Sequence, residues 1–432
     1  MTLNKISFCI NTAINELDYI KLLFKSLRDN LSTLEHEIIV FIDSDNQGTL
    51  KWLIKQKSIF PNLKILKNPL PICYGYARNI NEMFKYASND IVSYLQSDMV
   101  ISKDYDVYIS KHIKDNIILS STRIEPPLHG PGLEKHTMDF GLTPKDFQYE
   151  MFLDWCEHNR EEKQTEYFFA PFTMYKKVWN DIGGHDTYFR RSREDSDVLN
   201  RLVLNGNKIV QIWDALVYHF TCVSSRGQDW HNEQNKKAQE RAVLQQQADM
   251  IEMSRINRKW GGFSHGKPNN YYYHINSEIN IDNNNFNAFK MVSSYFNVNY
   301  INDISFYNEF INQNEHTYAN QLLNFSNNDW DKYSYMYNTE SLEDYVKMGD
   351  AKGDIIVRFK LSSINQTTFN EIISNLQHLV HYYDAPGIYK FDQNQNGFNE
   401  FTIEIMEKNN IVKDKIKVIN PSIKKDHKYL VY

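Results

Sequence analysis

Residues 37–45 read EIIVFIDSD, an almost unbroken apolar run that ends in Asp43, Ser44 and Asp45. A short apolar run closed by polar residues that favour turns is typical of a strand buried on both faces of a parallel sheet. In open α/β sheets, ligands bind beyond the carboxyl ends of such strands. Asp43 is therefore the first candidate binding residue.

Similar runs alternate with helical patterns through the first hundred residues. Strands are predicted at 6–10, 37–42, 63–66 and 91–95, and helices at 17–31 and 77–87, with Asn15 as the N-cap of the first helix. This alternation predicts an α/β domain with an open, mixed, mainly parallel sheet flanked by helices. Its carboxyl edge should carry Thr12, Asp43 and Asp98.

Composition narrows the classes of partner. The chain has 432 residues, a formal net charge of -6 and no basic block that could follow a phosphate backbone, so we expect no nucleic-acid partner. No apolar run is long enough to span a bilayer, and the N-terminus lacks the apolar core of a signal peptide. Four scattered cysteines fit a reducing compartment. These features predict a cytoplasmic protein without a transmembrane segment.

The length and a change in pattern predict two domains. The first would span residues 1–265 and end in a long helix over 232–260, which Gly261-Gly262 terminates. That helix could support a homo-oligomer, although most such helices pack on their own domain. Residues 266–432 would form a smaller accessory α/β domain of unknown role, with strands near 354–361 and 401–405 and a helix near 369–380.

Three acidic or histidine-bearing segments could carry chemistry together. Asp98 follows the predicted strand 91–95, Arg193-Glu194-Asp195-Ser196-Asp197 opens a predicted helix, and His219 follows a later apolar run. Transfer of a sugar from a nucleoside diphosphate needs neutralisation of the diphosphate, usually by a divalent metal on carboxylates and histidine. It also needs a carboxylate that accepts the proton of the attacking hydroxyl. Asp98 and His219 suit the metal, and Asp195 or Glu194 suits the base.

In order and spacing, these segments resemble the family 2 inverting glycosyltransferases of the GT-A fold. Six stretches carry the resemblance: NTA-x-NE at 11–16, IVFIDSDNQGT at 39–49, GYARN at 75–79, YLQSD at 94–98, GGHD at 183–186 and EDSDVLNRL at 194–202. They are similar to that family's first-strand signature, second-strand aspartate, diphosphate-side arginine, DxD metal signature, glycine turn and catalytic-base helix, respectively.

The resemblance implies a role for each matched residue. The nucleoside diphosphate sugar, with UDP favoured, would contact Thr12, Ala13, Glu16, Asp43, Arg78, Gln96, Ser97 and Asp98. Asp43 would hold the base and Arg78 the diphosphate. Asp98 and His219 would bind Mn²⁺ or Mg²⁺. Asp195 would be the catalytic base, with Glu194 holding the acceptor or the helix end. The implied activity is that of a hexosyl- or N-acetylhexosaminyltransferase acting on a glycan or another hydroxyl acceptor.

Asp197 is expected to be structural, paired with Arg201 one helical turn on. One departure stands out: Gln96 replaces the first aspartate of DxD. It keeps open a non-catalytic relative that binds sugar. A nucleotidyltransferase of related fold is the other alternative, although Asn11-Thr12-Ala13-Ile14 is not the glycine-rich basic loop expected there.

Overall fold

The computed structural model describes residues 3–69, 75–187, 189, 192–221 and 223, helical positions 252 and 256, and seven later strands. The chain divides into two compact units, residues 1–246 with 418–432 and residues 247–417. The boundary at 265 stays a prediction.

The first unit contains one mixed sheet with helices on its faces. Its strands are β1 Ile6–Thr12, β2 Glu37–Ile42, β3 Leu63–Lys67, β4 Ile91–Gln96, β5 Met99–Ile101, β6 Ile117–Glu125, β7 Lys135–Thr137, β8 Gln164–Thr165, β9 Phe172–Tyr175 and β10 Lys208–His219. Its helices are α1 Leu17–Asn30, α2 Thr49–Gln56, α3 Tyr76–Tyr86, α4 Tyr105–His112, α5 Tyr149–Asn159, α6 Lys176–Asp181 and α7 Glu194–Leu204.

The strand order explains how distant segments meet. The order is β3-β2-β1-β4-β9-β6-β10-β5, with β7 beside β6 and β8 beside β10. Strands β3, β2, β1 and β4 are mutually parallel, and β6 is parallel to β10. Strand β9 runs antiparallel between β4 and β6. The predicted mixed, mainly parallel α/β sheet is confirmed, and its carboxyl edge gathers the ends of β1, β2, β4, β6 and β10.

Burial on both faces explains why β1 and β2 read as apolar runs. All their residues are buried, and α1 packs its apolar stripe against the same core through Ile20, Leu23 and Leu27. A polar residue positions the next helix: the Asp45 carboxylate accepts the backbone N–H groups of residues 47–50 at the start of α2. This satisfies donors that a helix start leaves unpaired.

The prediction of Asn15 as an N-cap is wrong. Helix α1 begins at Leu17 with Glu16 in the cap position and no side-chain cap. Asn15 has a left-handed backbone (φ 64°), and its Oδ1 accepts a hydrogen bond from Asn46 Nδ2 instead. The Glu16 carboxylate turns back to the Ala13 N–H. The tight β1–α1 turn therefore uses both side chains to fix the loop.

Further strands are described along the rest of the chain. β11 Tyr273–Ser277, β12 Val298–Ile301, β13 Tyr335–Asn338, β14 Ile355–Phe359, β15 Gly387–Phe391 and β16 Phe401–Ile405 form a second mixed sheet. β17 Leu430–Val431 pairs with β3 of the first sheet. The strands predicted near 354–361 and 401–405 are confirmed. The helices predicted over 232–260 and 369–380 lie outside the described residues, apart from helical positions 252 and 256.

No described helix combines the length and apolarity needed to cross a bilayer. Of the four cysteines, Cys9 and Cys156 are buried free thiols.

Candidate active site

Asp43 lies where β2 ends and is 6% exposed. Its Oδ1 accepts a hydrogen bond from Asn68 Nδ2 at 2.9 Å, and its Oδ2 accepts one from the Gly75 N–H at 3.0 Å. Its own N–H donates to the Thr12 carbonyl at 2.9 Å. Asp43 thus connects the end of β2 to the end of β1 through its backbone, and to the residue after β3 and the start of α3 through its carboxylate. Its contact with a nucleotide base stays a prediction.

Arg78 lies in the first turn of α3 and is half-buried. Gly75, just before that helix, has φ 87° and is the residue bound to Asp43. The first turn of a helix presents backbone N–H groups and a positive dipole end, which favours phosphate. Arg78 would add a full charge at the same place, as its predicted diphosphate role requires.

Glu16 and Ser97 connect two loops at the carboxyl edge. Glu16 is 2% exposed, and its Oε2 accepts hydrogen bonds from Ser97 Oγ at 2.6 Å and from the Ala13 N–H at 2.9 Å. Burial raises the pKa of Glu16 to about 7, with a further contribution from the Asp98 charge. These contacts make Glu16 and Ser97 a brace between the β1–α1 turn and the β4–β5 turn. Their predicted contact with a donor is untested.

Gln96 ends β4 in register with Asn11 of β1. It is half-buried, and its Oε1 has no hydrogen-bond partner among the described residues. A buried amide oxygen without a partner costs free energy unless something donates to it. The Gln96 Oε1 atom therefore lies at the carboxyl edge of the sheet, where the nucleoside diphosphate sugar is predicted to bind.

Asp98 and His219 meet across the antiparallel pair β5–β10, and this is the geometry on which the metal hypothesis depends. Strand β10 places His219 opposite Met99, and Asp98 Oδ1 lies 3.7 Å from His219 Nε2. Both residues are buried, at 6% and 7% exposure. Burial raises the pKa of Asp98, and the nearby His219 partly offsets that rise.

Glu125, at the end of β6, completes this cluster and was missed from the sequence. Its Oε1 lies 3.0 Å from His219 Nδ1 and 3.0 Å from Arg123 Nη1, and its Oε2 lies 2.7 Å from Lys135 Nζ. Burial opposes its ionisation, but hydrogen bonding to His219 and the Arg123 charge hold the pKa of Glu125 well below its usual range. No familiar motif marks this residue in the sequence.

The Asp98 carboxylate and the His219 imidazole suit a divalent ion that has few protein ligands. Within the part of the chain that the structure describes, no group of three or more acidic, histidine or cysteine side chains is arranged to hold a metal. Two side chains, one carboxylate and one imidazole, converge instead. Mg²⁺ bound with nucleotide phosphates commonly takes only one or two protein carboxylates and completes its shell with phosphate oxygens and water.

Helix α7 separates its acidic side chains as helical geometry requires. Asp197 Oδ2 accepts a hydrogen bond from Arg201 Nε at 2.8 Å and forms an ion pair with Arg201 Nη2 at 2.8 Å, and both residues are fully buried. The predicted Asp197–Arg201 pair is confirmed. Arg201 Nη1 also donates to the carbonyls of Ile182 and Gly184. The pair therefore fastens α7 to the glycine turn.

The glycine turn itself is fixed from α3. The side-chain amide of Asn81 accepts from the His185 N–H at 2.7 Å and donates to the His185 carbonyl at 2.8 Å. At Gly184, where φ is 75°, a Cβ atom would lie 2.5 Å from Asn81 Oδ1. Only glycine allows this approach, so the motif GGHD at 183–186 positions α7 through its backbone.

Glu194 and Asp195 are the first two residues of α7 and are partly buried. Asp195 Oδ1 accepts from the Ser196 N–H at 2.7 Å. Burial raises the pKa of Tyr167, the Arg123 charge lowers it, and the charges of Glu134, Asp195 and Glu125 raise it further. Tyr167 was not singled out from the sequence.

Tyr94, on β4, is a second tyrosine whose pKa is raised by acidic side chains. Tyr94 is buried, and burial together with the negative charges of Glu194, Asp98 and Glu16 raises its pKa well above the ordinary value. Helix α7 ends at Leu204, and residues 205–207 connect it to the start of β10 at the amino edge, so the first turn of α7 lies toward the carboxyl edge, where Asp98 lies. The predicted base helix and the predicted metal ligands share one edge of the sheet.

Residues 9–190 match the family model described as glycosyl transferase family 2. This match confirms the resemblance over the first five sequence stretches, and the sixth, at 194–202, lies beyond the matched residues. No protein with a curated description matches the chain significantly.

Similar solved structures include S. aureus TarS, with 20% identity, a TM-score of 0.37, and coverage of 59% of this chain and 43% of that chain. GalNAc-T7 with UDP, GalNAc and Mn²⁺ has 14% identity, a TM-score of 0.40, and coverage of 59% and 51%. A Pyrobaculum calidifontis mannosyltransferase with GDP-Man and Mn²⁺ has 14% identity, a TM-score of 0.38, and coverage of 58% and 65%. The chain thus spans about half the length of the first two.

Proposed function

We propose that the N-terminal domain, a family 2 glycosyltransferase domain, moves a hexose or N-acetylhexosamine from a nucleoside diphosphate sugar to an acceptor hydroxyl with inversion. The observation that carries the proposal is the convergence at one sheet edge. Asp43 and the Asp98–His219 pair lie there, and α7 begins toward the same edge with Glu194 and Asp195. A donor site and a base would then face each other.

In the proposed reaction, the acceptor oxygen attacks the anomeric carbon and the bond from that carbon to the diphosphate oxygen breaks. The leaving nucleoside diphosphate keeps the electron pair. The acceptor proton passes to the carboxylate of Asp195, while Glu194 orients the acceptor. Direct displacement places the new bond opposite the old one, which inverts the anomeric centre.

On the donor side, Asp43 would bind the base and Arg78 the diphosphate, with Thr12, Ala13, Gln96 and Ser97 lining the same edge. Asp98 and His219 would hold a divalent ion, Mn²⁺ or Mg²⁺. When bound, the ion supplies positive charge that stabilises the leaving diphosphate. Glu16 stabilises this edge by accepting a hydrogen bond from Ser97.

Nucleotide-induced thermal shift combined with donor turnover tests the proposal. Preferential binding to the native state raises the melting temperature. We expect UDP, and less so GDP or dTDP, to raise it more with Mn²⁺ than with chelator. We also expect one member of a panel of UDP-, GDP- and dTDP-sugars to be hydrolysed slowly without acceptor. A shift with nucleoside triphosphates alone would favour a nucleotidyltransferase, and donor binding without turnover toward any acceptor would favour a sugar-binding relative.

A further inference from the structure

Glu125 is the most strongly bonded carboxylate near the candidate site, yet the proposed reaction gives it no task. It is 3% exposed and contacts three basic side chains: His219, Arg123 and Lys135. All of these side chains are buried as well. A buried charge cluster of this kind is costly to desolvate, so a packing role alone is a poor explanation for it.

The contact with His219 determines where the imidazole carries its proton. An ionised carboxylate can only accept hydrogen bonds, and a neutral imidazole has one donor and one acceptor nitrogen. Because Glu125 Oε1 lies 3.0 Å from Nδ1, Nδ1 must be the donor. In the neutral ring, Nε2 then presents a lone pair.

Nε2 lies near a second carboxylate, that of Asp98, without a hydrogen bond to it. Nε2 lies 3.7 Å from Asp98 Oδ1, which is beyond hydrogen-bond distance. An imidazole nitrogen and a carboxylate oxygen each bind a divalent ion at about 2.0–2.2 Å. At these bond lengths, neighbouring ligands of an octahedral or tetrahedral ion lie about 3.0–3.4 Å apart. The two atoms are 3.7 Å apart, so a side-chain movement of less than about 1 Å would let both bind one ion.

We propose that Glu125 is a positioning residue, which holds His219 as the Nδ1–H tautomer so that Nε2 and Asp98 can share one divalent ion. The proposal rests on the function proposed above for the same site. Hydrogen bonds from ligating histidines to carboxylates fix the tautomer and ring orientation in many metal sites, and losing one typically costs about 10- to 100-fold in metal affinity. Arg123 and Lys135 keep Glu125 ionised and stationary.

The competing explanation is that Glu125 only neutralises Arg123 and Lys135. Two variants separate the explanations. Glu125→Gln removes the charge but keeps an oxygen that can accept from Nδ1. Glu125→Met combined with Lys135→Met removes the acceptor but leaves the local charge balance unchanged, because one negative and one positive group are lost together.

The first measurement is the tautomer of His219 by ¹⁵N NMR on the full chain without metal or nucleotide, assigned with a His219→Gln variant. We expect Nδ1–H in the parent and in Glu125→Gln, and a shift toward Nε2–H in the double variant. An Nε2–H tautomer in the parent would overturn the proposal without any need for the variants. So would an unchanged Nδ1–H tautomer in a folded double variant.

The second measurement is Mn²⁺ affinity by electron paramagnetic resonance in the presence of UDP. We expect the double variant to bind Mn²⁺ about 10- to 100-fold more weakly, with Glu125→Gln closer to the parent. If charge neutralisation were the role, the order would reverse, because Glu125→Gln leaves two cations unbalanced beside the ion.

Glu37→Gln is the matched control. Glu37 is likewise buried and paired with a lysine, Lys64 at 2.5 Å, but it begins β2 at the opposite edge of the sheet. It should change neither readout. Failure of the proposed function is separately visible: a parent chain that keeps the Nδ1–H tautomer but neither binds UDP nor turns over a donor would refute glycosyl transfer and leave the tautomer assignment standing.

Discussion

The two edges of the main sheet each bury a histidine against a carboxylate, but only one of these histidines is fully hydrogen-bonded. At the amino edge, the Ile6 N–H donates to His36 Nδ1 at 3.2 Å, and His36 Nε2 donates to Asp106 at 2.9 Å. At the carboxyl edge, His219 Nδ1 is bound to Glu125, while Nε2 stands 3.7 Å from Asp98.

This difference in hydrogen bonding suggests that the His36 pair stabilises the fold, whereas the His219 pair is available to bind a ligand. At the amino edge both ring nitrogens of His36 are hydrogen-bonded, which is the state expected of a buried polar group that only stabilises a fold. At the carboxyl edge, among the residues that the structure describes, His219 Nε2 and Asp98 Oδ1 are not hydrogen-bonded to each other and the Gln96 Oε1 atom has no partner. Polar groups of this kind can bind a ligand without first breaking a bond within the protein.

The loss of stability should be larger at the amino edge than at the carboxyl edge. Asp106 accepts hydrogen bonds from the Ser32 N–H, the Ser32 hydroxyl and His36. Asp106→Ala leaves these buried donors unpaired and should lower the free energy of unfolding by about 3 kcal/mol. Urea unfolding measures this loss. Asp98→Ala at the carboxyl edge should cost less than about 1 kcal/mol, because burial already disfavours its charged form. Equal losses at both edges would erase the proposed distinction.

The next effect concerns catalysis on α7. Asp195→Asn keeps the size of the side chain and removes the proposed base, so turnover should fall by a factor of about 100 or more. Donor affinity, measured by calorimetry, should stay near that of the parent. A variant that transfers sugar at the parental rate would remove Asp195 from the mechanism.

Asp197→Asn, two positions on, provides the matched control. It disrupts the fully buried pair with Arg201, and losing one partner of such a pair costs about 3–5 kcal/mol in favourable cases. We expect lower stability and donor turnover per folded molecule closer to that of the parent. If both variants lost turnover equally while folded, the separation of roles along the helix would be wrong.

A smaller effect is expected on nucleotide binding. Asp98→Ala removes one of the two proposed metal ligands, so UDP affinity in Mn²⁺ should fall at least about tenfold, the lower end of what even an outer-sphere partner costs. With chelator present, the parent and the variant should bind UDP alike. Isothermal titration under both conditions provides the check. Equal binding by both proteins in Mn²⁺ would show that Asp98 is not a ligand.

Sequence periodicity predicted the parts of the fold that depend on burial. The strand at 37–42 and the helix at 77–87 follow from apolar spacing, and the structure has them within one residue. The Asn15 cap failed because the β1–α1 turn is tight: Asn15 takes a left-handed backbone, and the Glu16 carboxylate bends back into the loop. Hydrophobic periodicity does not reveal which polar side chain of a turn will bind the backbone at the start of a helix.

The candidate site was predictable only where a motif marks it. Asp98 and Asp195 lie in recognisable segments, whereas Glu125 is an ordinary acidic residue before Pro126-Pro127. It reaches His219 only because β6 and β10 are neighbours, although 94 positions separate the two residues. Tyr167 was missed for the same reason, since the Arg123, Asp195 and Glu125 charges that affect its pKa come from distant parts of the sequence.

The smallest effect concerns Glu16, whose burial raises its pKa from 4.5 to about 7. Between these values the folded state keeps a proton that the unfolded state releases, so the free energy of unfolding should fall as pH rises and level off above about 7. Each unit of pKa shift is worth about 1.4 kcal/mol, so we expect a loss of at least about 1 kcal/mol between roughly pH 5 and pH 7.5. Glu16→Gln should lack this loss in metal-free urea unfolding.

Glu37→Gln, at the amino edge, is the control for this pH dependence. Burial also disfavours the Glu37 charge, but Lys64 and Ser7 outweigh it and lower the pKa of Glu37. The stabilisation from Glu37 is therefore present above its unfolded pKa and is lost only at lower pH. Glu37→Gln should reduce stability by a similar amount at both pH values and keep the parental slope. A slope that survives in Glu16→Gln would mean that another group, such as Asp98, carries the proton.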